Sequence, residues 1–336
     1  MKNILLILTG GTIGSMEHNG IIAAAPAGKC RITELYQKKY GDVHFTVRQP
    51  LNILSENLSL CHWETLINFI LSCDLSDFDG MIITHGSDTL SYSSAMLSFC
   101  LRHLSLPVVI TAANYVPDDR RSNALANLRA AVIMIGIAQR GTFTVYQNDG
   151  DTGCTVFLPT RLCEADRFGD HFSSADRKCI GTVKNDHFIP CFDTVTLDEI
   201  ARAKPPVIAG KLSLKNHIML LRPYPSMDYR HLIIPEQVCA VLHITYHSAT
   251  VSAAPDNSVL TLMKQCRQKN LDLYLASFKK KNHAVYETDH LLLQEGAAAL
   301  YDITNESAYA KLLLAYNGCA DDPHQWIHQN LYFEIM

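Results

Sequence analysis

Short apolar runs that end in glycine turns recur along this chain and predict buried strands. Residues 4–8 and 81–83 are apolar, and each run leads into a turn that carries a hydroxyl, Thr12 in the first and Ser87 in the second. Runs of this length are typical of parallel strands buried on both faces. Ligands bind at the carboxyl ends of such strands in open α/β sheets. Thr12 and Ser87 are therefore candidate nucleophiles or binding hydroxyls on neighbouring strand ends.

Strand-like and helix-like segments alternate through the first half of the chain, and a second alternating series follows. Helical segments of ten or more residues between strands predict βαβ units and a parallel sheet with helices on both faces. The predicted strands cover residues 3–9, 79–84, 106–112 and 142–147, then 216–222, 238–245 and 271–277. The predicted helices cover residues 60–73, 89–104 and 121–138, then 256–268, 305–316 and 323–331.

A proline-containing stretch lies between the two series. Residues 189–206 hold three prolines and a short charged helix, which is typical of a connection between domains. The chain has 336 residues, of which 48% are hydrophobic and 18% are charged, so it is long enough to bury two cores. The sequence therefore predicts two α/β domains.

Composition narrows the classes of function. A net charge of −4 gives no broad positive field, so nucleic acid is not an expected partner. The 11 cysteines are scattered without a Cys-x-x-Cys pair, which argues against a zinc cage and suits a reducing compartment. The first apolar stretch is too short for a signal peptide, and no run approaches the ~18 apolar residues of a membrane span. We therefore expect a cytoplasmic protein that binds no membrane.

The residues of the two turns favour acyl transfer over nucleotide binding. Residues 10–14 lack the Gly-x-Gly-x-x-Gly and Gly-Lys-Ser/Thr patterns of phosphate loops. Two glycines before Thr12 let backbone amides approach a ligand beside the hydroxyl, which suits a nucleophile with an oxyanion hole. Ser87 and Asp88 come together at a helix start, where an anion is favoured. The alternatives are that the first turn is a tight βα turn with no chemistry and that Ser87 or Asp88 only caps a helix, because both are good N-caps.

The two turns resemble the two signatures of the bacterial-type asparaginase/glutaminase family. Residues 9–13 read Thr-Gly-Gly-Thr-Ile, and residues 85–89 read His-Gly-Ser-Asp-Thr where the family usually has His-Gly-Thr-Asp-Thr. The similarity extends over nearly the whole chain. Further segments that resemble the family are 52–58 followed by Trp63, 106–111, 121–128, 220–225 and 329–334.

The resemblance implies a fold and an activity. The fold is α/β, with a larger N-terminal Rossmann-like parallel-sheet domain at 1–188, a linker at 189–206 and a smaller C-terminal α/β domain at 207–336. The activity is hydrolysis of the side-chain amide of asparagine or a related amino-acid amide through a Thr or Ser acyl-enzyme. No cofactor or metal is implied, and the partners are the small amino-acid amide and further copies of the chain in a homodimer or homotetramer.

The family's site residues carry over by position. The two hydroxyl turns would supply the nucleophile and a second catalytic group, and backbone amides of the glycines would hold the oxyanion. The segment at 52–58 would bind the zwitterionic head of the substrate, which needs both donors and acceptors. The implied catalytic residues are Thr12, Ser87, Asp88 and Arg161, and the implied substrate-binding residues are Gly11, Ser55, Glu56 and Gly86.

Two positions depart from the family pattern. Arg161 stands where the family has a lysine that helps to move a proton, and a guanidinium with a pKa above ~12 cannot act as a general base. It can still bind an anion. Ile21 stands where the family has a loop tyrosine, so Tyr36, Tyr40 or a residue of another subunit would have to reach Thr12.

Smaller changes surround the expected site. The family's Ser-Asp-Gly reads Ser-Asn-Ala at residues 122–124, and its Thr-Gly reads Thr-Ala at residues 111–112. We expect His85, beside its glycine turn, to be a structural hydrogen-bonding residue rather than a base. His243 and His247 are expected at a domain interface rather than in catalysis.

The sequence leaves three functions open. The first is the amidohydrolase described above. The second is a catalytically impaired homologue in which Arg161 and Asp88 hold a small amino-acid ligand. The third is an amidase or acyl-transfer enzyme of a biosynthetic pathway with a larger substrate, because Ile21 and Ile22 would make the pocket mouth more apolar. Residues 55–57 also resemble the asparaginase-like subunit of the archaeal glutamyl-tRNA amidotransferase, but the weak positive charge argues against that role.

Overall fold

The computed structural model describes residues 1–18, 21–24, 30–255, 257–279 and 286–336, with the backbone alone at 17–18 and 21–24. The chain divides into two compact units, Met1–Leu212 and Ser213–Met336. Within the described residues, no helix is both long and apolar enough to cross a bilayer.

Eight strands of the first unit form one sheet, in the order β10-β9-β8-β7-β6-β5-β1-β4, and β2 pairs with β3 in a separate hairpin. The strands are β1 Lys2–Leu8, β2 Ser15–His18, β3 Ile21–Ala24, β4 Val43–Arg48, β5 Gly80–Thr84, β6 Pro107–Thr111, β7 Gly141–Tyr146, β8 Cys154–Phe157, β9 Gly181–Lys184 and β10 His187–Pro190. The helices of this unit are α1 Arg31–Lys39, α2 Leu60–Ser72, α3 Leu90–Leu101, α4 Ala124–Ile137 and α5 Leu197–Ile200.

The predicted parallel sheet is confirmed for its first half. Strands β4, β1, β5, β6 and β7 are parallel neighbours, and the apolar runs of β5 and β6 are buried along their whole length. The second half differs from the prediction, because β7, β8, β9 and β10 pair antiparallel. These later strands, β8 to β10, have only four residues each, so their pattern in the sequence is weak.

Helix α3 leads directly away from the second glycine turn and is buried on nearly every side. Three of its serines, Ser93, Ser94 and Ser98, are accommodated in the core because they have hydrogen-bond partners. The Trp63 indole donates to Ser93 at 2.9 Å, and two hydroxyls of β7, Thr142 and Thr144, donate to Ser98 and Ser94 at 2.9 and 3.0 Å. This network fixes the helix, and with it the turn that precedes it.

The segment interpreted from the sequence as a linker belongs to the first unit. Residues 189 and 190 are part of β10, which completes the edge of the sheet by pairing with β9. Residues 197–200 form α5, whose N-cap Thr196 exchanges hydrogen bonds with Glu199. The division between the units falls instead after Leu212. The start of this segment belongs to the first unit because it pairs with β9 on the sheet edge. Counting prolines in the sequence does not reveal that pairing.

The second unit is built on a four-stranded parallel sheet in the order β11-β12-β13-β14. The strands are β11 His217–Leu221, β12 Val238–Ile244, β13 Asp272–Phe278 and β14 Ala298–Tyr301, and the helices are α6 Val259–Gln268, α7 Glu287–Gln294, α8 Asn305–Leu314 and α9 Pro323–Ile327. His243, expected at a domain interface, is buried in this unit. Its Nε2 lies 2.8 Å from the Tyr229 hydroxyl and its Nδ1 lies 2.7 Å from the Ile244 carbonyl oxygen, and burial lowers its pKa to about 4.

A fully buried ion pair attaches the carboxyl-terminal tail to α8. The Lys311 ammonium lies 2.7 Å from Glu334 Oε1, and neither side chain is exposed. Lys311 also donates to the Gln329 carbonyl oxygen. The Glu334 carboxylate accepts the backbone amides of Leu331 and Tyr332 at 2.8 and 2.6 Å. The charges are thus compensated within the tail and the helix that it covers.

We predict that Lys311→Ala lowers the free energy of unfolding by about 3–5 kcal/mol, because it leaves a buried carboxylate without its counter-ion. Arg230→Ala is the control, since the Arg230–Asp228 pair is largely exposed and should contribute less than about 1 kcal/mol. Chemical denaturation measures both. Equal losses in the two variants would contradict the argument.

Helix α7 contains a buried carboxyl group. Asp289 is 2% exposed, and its Oδ1 has no hydrogen-bond partner among the described residues. Burial raises its pKa to about 6. The folded protein therefore holds this proton more tightly than the unfolded chain does. The stability that results is present below pH ~4 and is lost as the pH rises through about 6.

We predict that Asp289→Asn stabilises the protein above pH 7 by about 1–2 kcal/mol and has a smaller effect at pH 4, where the wild-type carboxyl is protonated. Glu287→Gln, on the exposed side of the same helix, should show no such dependence on pH. Urea denaturation at pH 4, 6 and 8 gives the comparison. A stabilisation by Asp289→Asn that is equal at all three pH values would refute it.

Candidate active site

The two hydroxyl turns begin side by side because β1 and β5 are parallel neighbours. Leu8 is in register with Thr84, and the next residue, Thr9, donates both its amide and its hydroxyl to the Thr84 carbonyl oxygen at 3.3 and 2.9 Å. Thr12 then starts a short 3₁₀ turn, and Ser87 starts another. The structure thus brings the two predicted hydroxyl turns to the same edge of the sheet.

Two glycines allow the turns to touch. Gly11 has a φ of 68°, and a Cβ built on it would lie 2.5 Å from both the Cα and the N of Gly86. A Cβ on Gly86 would in turn overlap the side chain of Ser55. Because no side chain fits between these backbones, both positions require glycine. The two turns, which continue into Thr12 and Ser87, are therefore in contact through their glycines.

A third segment, which follows β4, joins the two turns. Ile53 exchanges backbone hydrogen bonds with the first turn, accepting from the Gly11 amide at 2.9 Å and donating to the Thr9 carbonyl oxygen at 3.0 Å. Two residues later, Ser55 is buried and donates to Asp88 Oδ2 at 3.0 Å. The Ser55 carbonyl oxygen accepts the Thr89 hydroxyl at 3.1 Å. Of the expected substrate-binding residues, Ser55 thus contacts the second turn, whereas Glu56 beside it is exposed.

The second turn lies at the amino-terminal end of α3. The 3₁₀ turn Ser87–Thr89 runs directly into the helix, which begins at Leu90. The dipole of α3 and the backbone amides at the start of this helix favour negative charge at this point. Asp88 there serves as an acceptor for Ser55. The same end of the helix suits an anionic group of a substrate or the oxyanion of an intermediate.

His85 is buried and makes its hydrogen bonds with the backbone. It is buried, its amide donates to the Thr111 carbonyl oxygen at 2.8 Å, and its Nδ1 lies 3.0 Å from the Gly86 carbonyl oxygen. Burial lowers its pKa, so the ring stays neutral at physiological pH. This arrangement orients the glycine turn and agrees with the sequence-based expectation for His85.

A cavity of about 490 Å³ opens beside Ser87 and Asp88. Its walls come from the ends of β6 and β7 and from the segment that follows Arg161. The walls are largely polar, and four of the ten lining residues are acidic. The lining residues are Ser87, Asp88, Asn114, Tyr146, Glu164, Ala165, Asp166, Arg167, Asp170 and Phe172.

Arg161 forms an ion pair next to this wall. Its guanidinium lies 2.6 Å from Asp176 Oδ2, and each side chain is 14% exposed. Asp176 also accepts the Ser174 hydroxyl and the Lys178 amide. Burial alone would raise the pKa of Asp176, but these hydrogen bonds and Arg161 outweigh burial, so the pKa lies below its usual value. The pair joins the residues on either side of the segment 162–174. Glu164 of that segment lines the cavity.

The tyrosines considered as partners of Thr12 have other contacts. The Tyr36 hydroxyl donates to Asp42 at 3.0 Å and accepts from Arg129 at 2.8 Å, and burial raises its pKa. The Tyr40 ring lies under the guanidinium of Arg129, 4.4 Å from ring centre to carbon. Ile21 is in β3, where side chains lie outside the described part of the structure.

Sequence reasoning missed several residues of the cavity wall. Asn114 follows β6, and Tyr146 is the last residue of β7. The rule that led to Thr12 and Ser87, polar groups at the carboxyl ends of parallel strands, applies to both. Glu164 and Asp170 lie in irregular chain, where no periodic pattern marks them. Within the described residues, no cluster of three or more His, Cys, Asp or Glu is placed to hold a metal ion.

A known protein-family model covers the larger part of this chain. Residues 3–190 match the family model described as asparaginase, N-terminal. The chain belongs to the asparaginase family. It is 24% identical to the L-asparaginase of Thermococcus kodakarensis, over 95% of this chain and 94% of that one. It is 25% identical to a subunit of the glutamyl-tRNA(Gln) amidotransferase of Methanosphaera stadtmanae, over 94% of this chain and 72% of that protein.

Solved structures of asparaginases share the fold. The thermostable L-asparaginase from Thermococcus kodakarensis superposes with a TM-score of 0.81 at 22% identity, over 99% of both chains. L-asparaginase I from Vibrio cholerae gives a TM-score of 0.77 at 20% identity, over 100% of this chain and 99% of that one. The predicted α/β asparaginase fold is therefore confirmed.

We predict that Gly11→Ala lowers the free energy of unfolding by about 2–4 kcal/mol, because the new methyl group meets the backbone of Gly86 and the left-handed φ disfavours alanine. Gly14→Ala is the matched control in the same turn, since a Cβ there has nothing within 4 Å. We expect this control to change stability by less than about 1 kcal/mol. Thermal and urea denaturation distinguish them, and a Gly11→Ala variant as stable as Gly14→Ala would contradict the close approach.

Proposed function

We propose that this chain is an amidohydrolase of the asparaginase type, which hydrolyses the side-chain amide of asparagine or a related amino-acid amide. The observation that carries the proposal is the close approach of Gly11 and Gly86, because it brings the turns that begin at Thr12 and Ser87 side by side at one edge of the sheet. Membership of the asparaginase family supports the same reaction class.

The proposed reaction has two halves. The hydroxyl of Thr12 or Ser87 attacks the amide carbonyl carbon, and the carbonyl oxygen becomes an oxyanion held by backbone amides of the two glycine turns. The C–N bond then breaks, ammonia leaves with the proton of the attacking hydroxyl, and an ester remains. Water hydrolyses the ester and restores the hydroxyl. Asp88, oriented by Ser55, would bind the substrate ammonium.

In this proposal Arg161 positions the cavity wall. Its ion pair with Asp176 ties the two ends of the segment 162–174 together. The sequence-based interpretation that Arg161 and Ile21 replace a catalytic lysine and tyrosine stays part of the proposal. It requires that another group of the site handle the proton of the nucleophile.

A second candidate function is an amidase or acyl-transfer enzyme with a larger substrate. The cavity volume of about 490 Å³ favours it, because volumes of roughly 300–1,000 Å³ are typical of sites for drug-sized ligands. The relative named as part of a glutamyl-tRNA(Gln) amidotransferase is consistent with amide chemistry on substrates other than free asparagine. Rates on free amino-acid amides and on amides of longer acids discriminate the two candidates.

We predict that the purified protein releases ammonia from at least one member of a panel of amino-acid amides. Removal of the nucleophile, by Thr12→Ala or Ser87→Ala, should lower kcat by about a thousandfold or more. Thr65→Ala, which removes an exposed hydroxyl on α2, is the control and should keep full activity. Coupled measurement of ammonia gives the rates, and mass spectrometry of quenched reactions locates the acyl group on Thr12 or Ser87.

The panel also separates catalysis from binding. Calorimetric binding of an amino acid by a wild-type protein that releases no ammonia would favour the catalytically impaired homologue. Full activity in Thr12→Ala would remove Thr12 from the proposed mechanism.

A further inference from the structure

Asn114 lies in the cavity wall, on the strand end next to the second hydroxyl turn. It follows β6, which pairs with β5 on one side and with β7 on the other, and it lines the same cavity as Asp88. Ser55, which donates to Asp88, follows β4 on the opposite side of β5. A substrate whose head is bound at Ser55 and Asp88 therefore meets Asn114 with a part that extends away from the head.

The side-chain oxygen of Asn114 is used by the backbone. Asn114 Oδ1 accepts the Tyr115 amide at 2.9 Å and the Asn123 amide at 3.1 Å. Only the oxygen of a side-chain amide accepts from backbone N–H groups, so these bonds establish which end is the NH₂ group. Among the described residues, that NH₂ group has no hydrogen-bond partner. It is the part of this half-buried side chain that is left for a ligand in the cavity.

Asn123 holds Asn114 in this orientation. The two residues exchange hydrogen bonds, because Asn123 Oδ1 in turn accepts the Asn114 amide at 3.0 Å. Asn123 Nδ2 donates to the carbonyl oxygen of Gln147, the residue after β7, at 2.8 Å. Asn123 is itself buried. The donor of Asn114 is therefore preorganised, which lowers the entropy cost of binding a ligand.

Asn127 adds a second bridge one helical turn further along α4. Its Nδ2 donates to the Ala112 carbonyl oxygen at 2.9 Å, and its Oδ1 accepts the Gln147 amide at 2.8 Å. The side chain is fully buried. Asn123 and Asn127 thus link the end of β6 to the end of β7 through side chains. This fixes the part of the cavity wall that carries Asn114.

The charge of the wall favours a neutral oxygen as the acceptor for this donor. Four of the ten lining residues are carboxylates, and one is a guanidinium. A carboxylate of a ligand would be repelled by this wall, whereas a carbonyl oxygen accepts a hydrogen bond without a net charge. The cavity volume of about 490 Å³ is large enough for a substrate that extends beyond a free amino acid.

We propose that Asn114 is a specificity-determining residue, whose NH₂ group donates to a carbonyl oxygen in a substituent on the reacting amide nitrogen. This inference rests on the proposed function and extends its substrate class to amino-acid amides whose nitrogen carries such a substituent. The head lies at Ser55 and Asp88, and the substituent extends across the end of β6. The same C–N bond breaks, and an amine leaves with the proton of the attacking hydroxyl in place of ammonia.

Two matched substrates test the contact. Both are asparagine derivatives, and the side-chain nitrogen carries the residue of glycinamide in one and an isobutyl group in the other. The isobutyl group has methyl groups where glycinamide has its oxygen and its NH₂ group. We expect the wild-type kcat/KM to be at least about fivefold higher for the glycinamide derivative, because the isobutyl group leaves the donor without an acceptor. Chromatography of the released aspartate measures both rates.

Asn114→Asp is the matched variant. It keeps an oxygen for the Tyr115 and Asn123 amides and replaces only the NH₂ group. The ratio of the two kcat/KM values should fall to about one, whereas a purely structural role would lower both rates and leave their ratio unchanged. Asn185→Asp, in the exposed turn between β9 and β10, adds the same charge outside the cavity wall and should keep the wild-type ratio.

A second variant covers loss of folding in the first. In Asn114→Ser the hydroxyl can still accept a backbone amide of its own turn, but it is too short to reach the same acceptor on the substrate. We expect the same loss of the ratio as in Asn114→Asp. A wild-type ratio in either folded variant would overturn the role of Asn114.

The outcomes separate this inference from the function on which it rests. If the wild-type protein releases ammonia from asparagine but cleaves neither derivative, the extended substrate class is wrong and the proposed function stands. If it cleaves both derivatives at equal kcat/KM, Asn114 does not bind the carbonyl oxygen, and again only this inference fails. If it hydrolyses neither derivative and no amide of the panel, both proposals fail.

Discussion

The candidate site depends on the close approach of two backbones, at Gly11 and Gly86. Strand pairing between β1 and β5 brings the two turns to the same edge of the sheet, and the absence of a side chain at either glycine lets them touch. Thr12 and Ser87 follow these glycines, so main-chain geometry places the starts of their two turns beside each other. Main-chain geometry is stiffer than a contact between flexible side chains, which suits a site that must be preorganised.

Polar contacts behind the turns hold this arrangement in place. The segment at Ile53 and Ser55 bridges both turns, and serines of α3 are hydrogen-bonded within the core. Each of these groups would destabilise the interior if it lacked a partner. Because they are satisfied, the first unit accommodates a polar site at the edge of a sheet whose strands are largely buried.

The sequence determined the fold class and the position of the two hydroxyl turns on neighbouring strands. Short apolar runs followed by glycine and a hydroxyl are local signals, and they were sufficient to place Thr12 and Ser87 on neighbouring strand ends. Motifs at residues 9–13 and 85–89 carried the family resemblance, which the family model over residues 3–190 confirms. The long helices α2, α3 and α4 were also found close to their observed bounds.

Tertiary structure decided which residues line the cavity beside Ser87. The antiparallel strands β8 to β10 and the pairing of Arg161 with Asp176 join residues whose individual patterns are weak. In the sequence Tyr146 is one more buried strand residue, and only its place in the cavity wall distinguishes it. The sequence by itself encodes which segments become strands and turns, because those depend on local pattern. Which side chains meet across a cavity depends on distant segments packing together, and the fold alone establishes that.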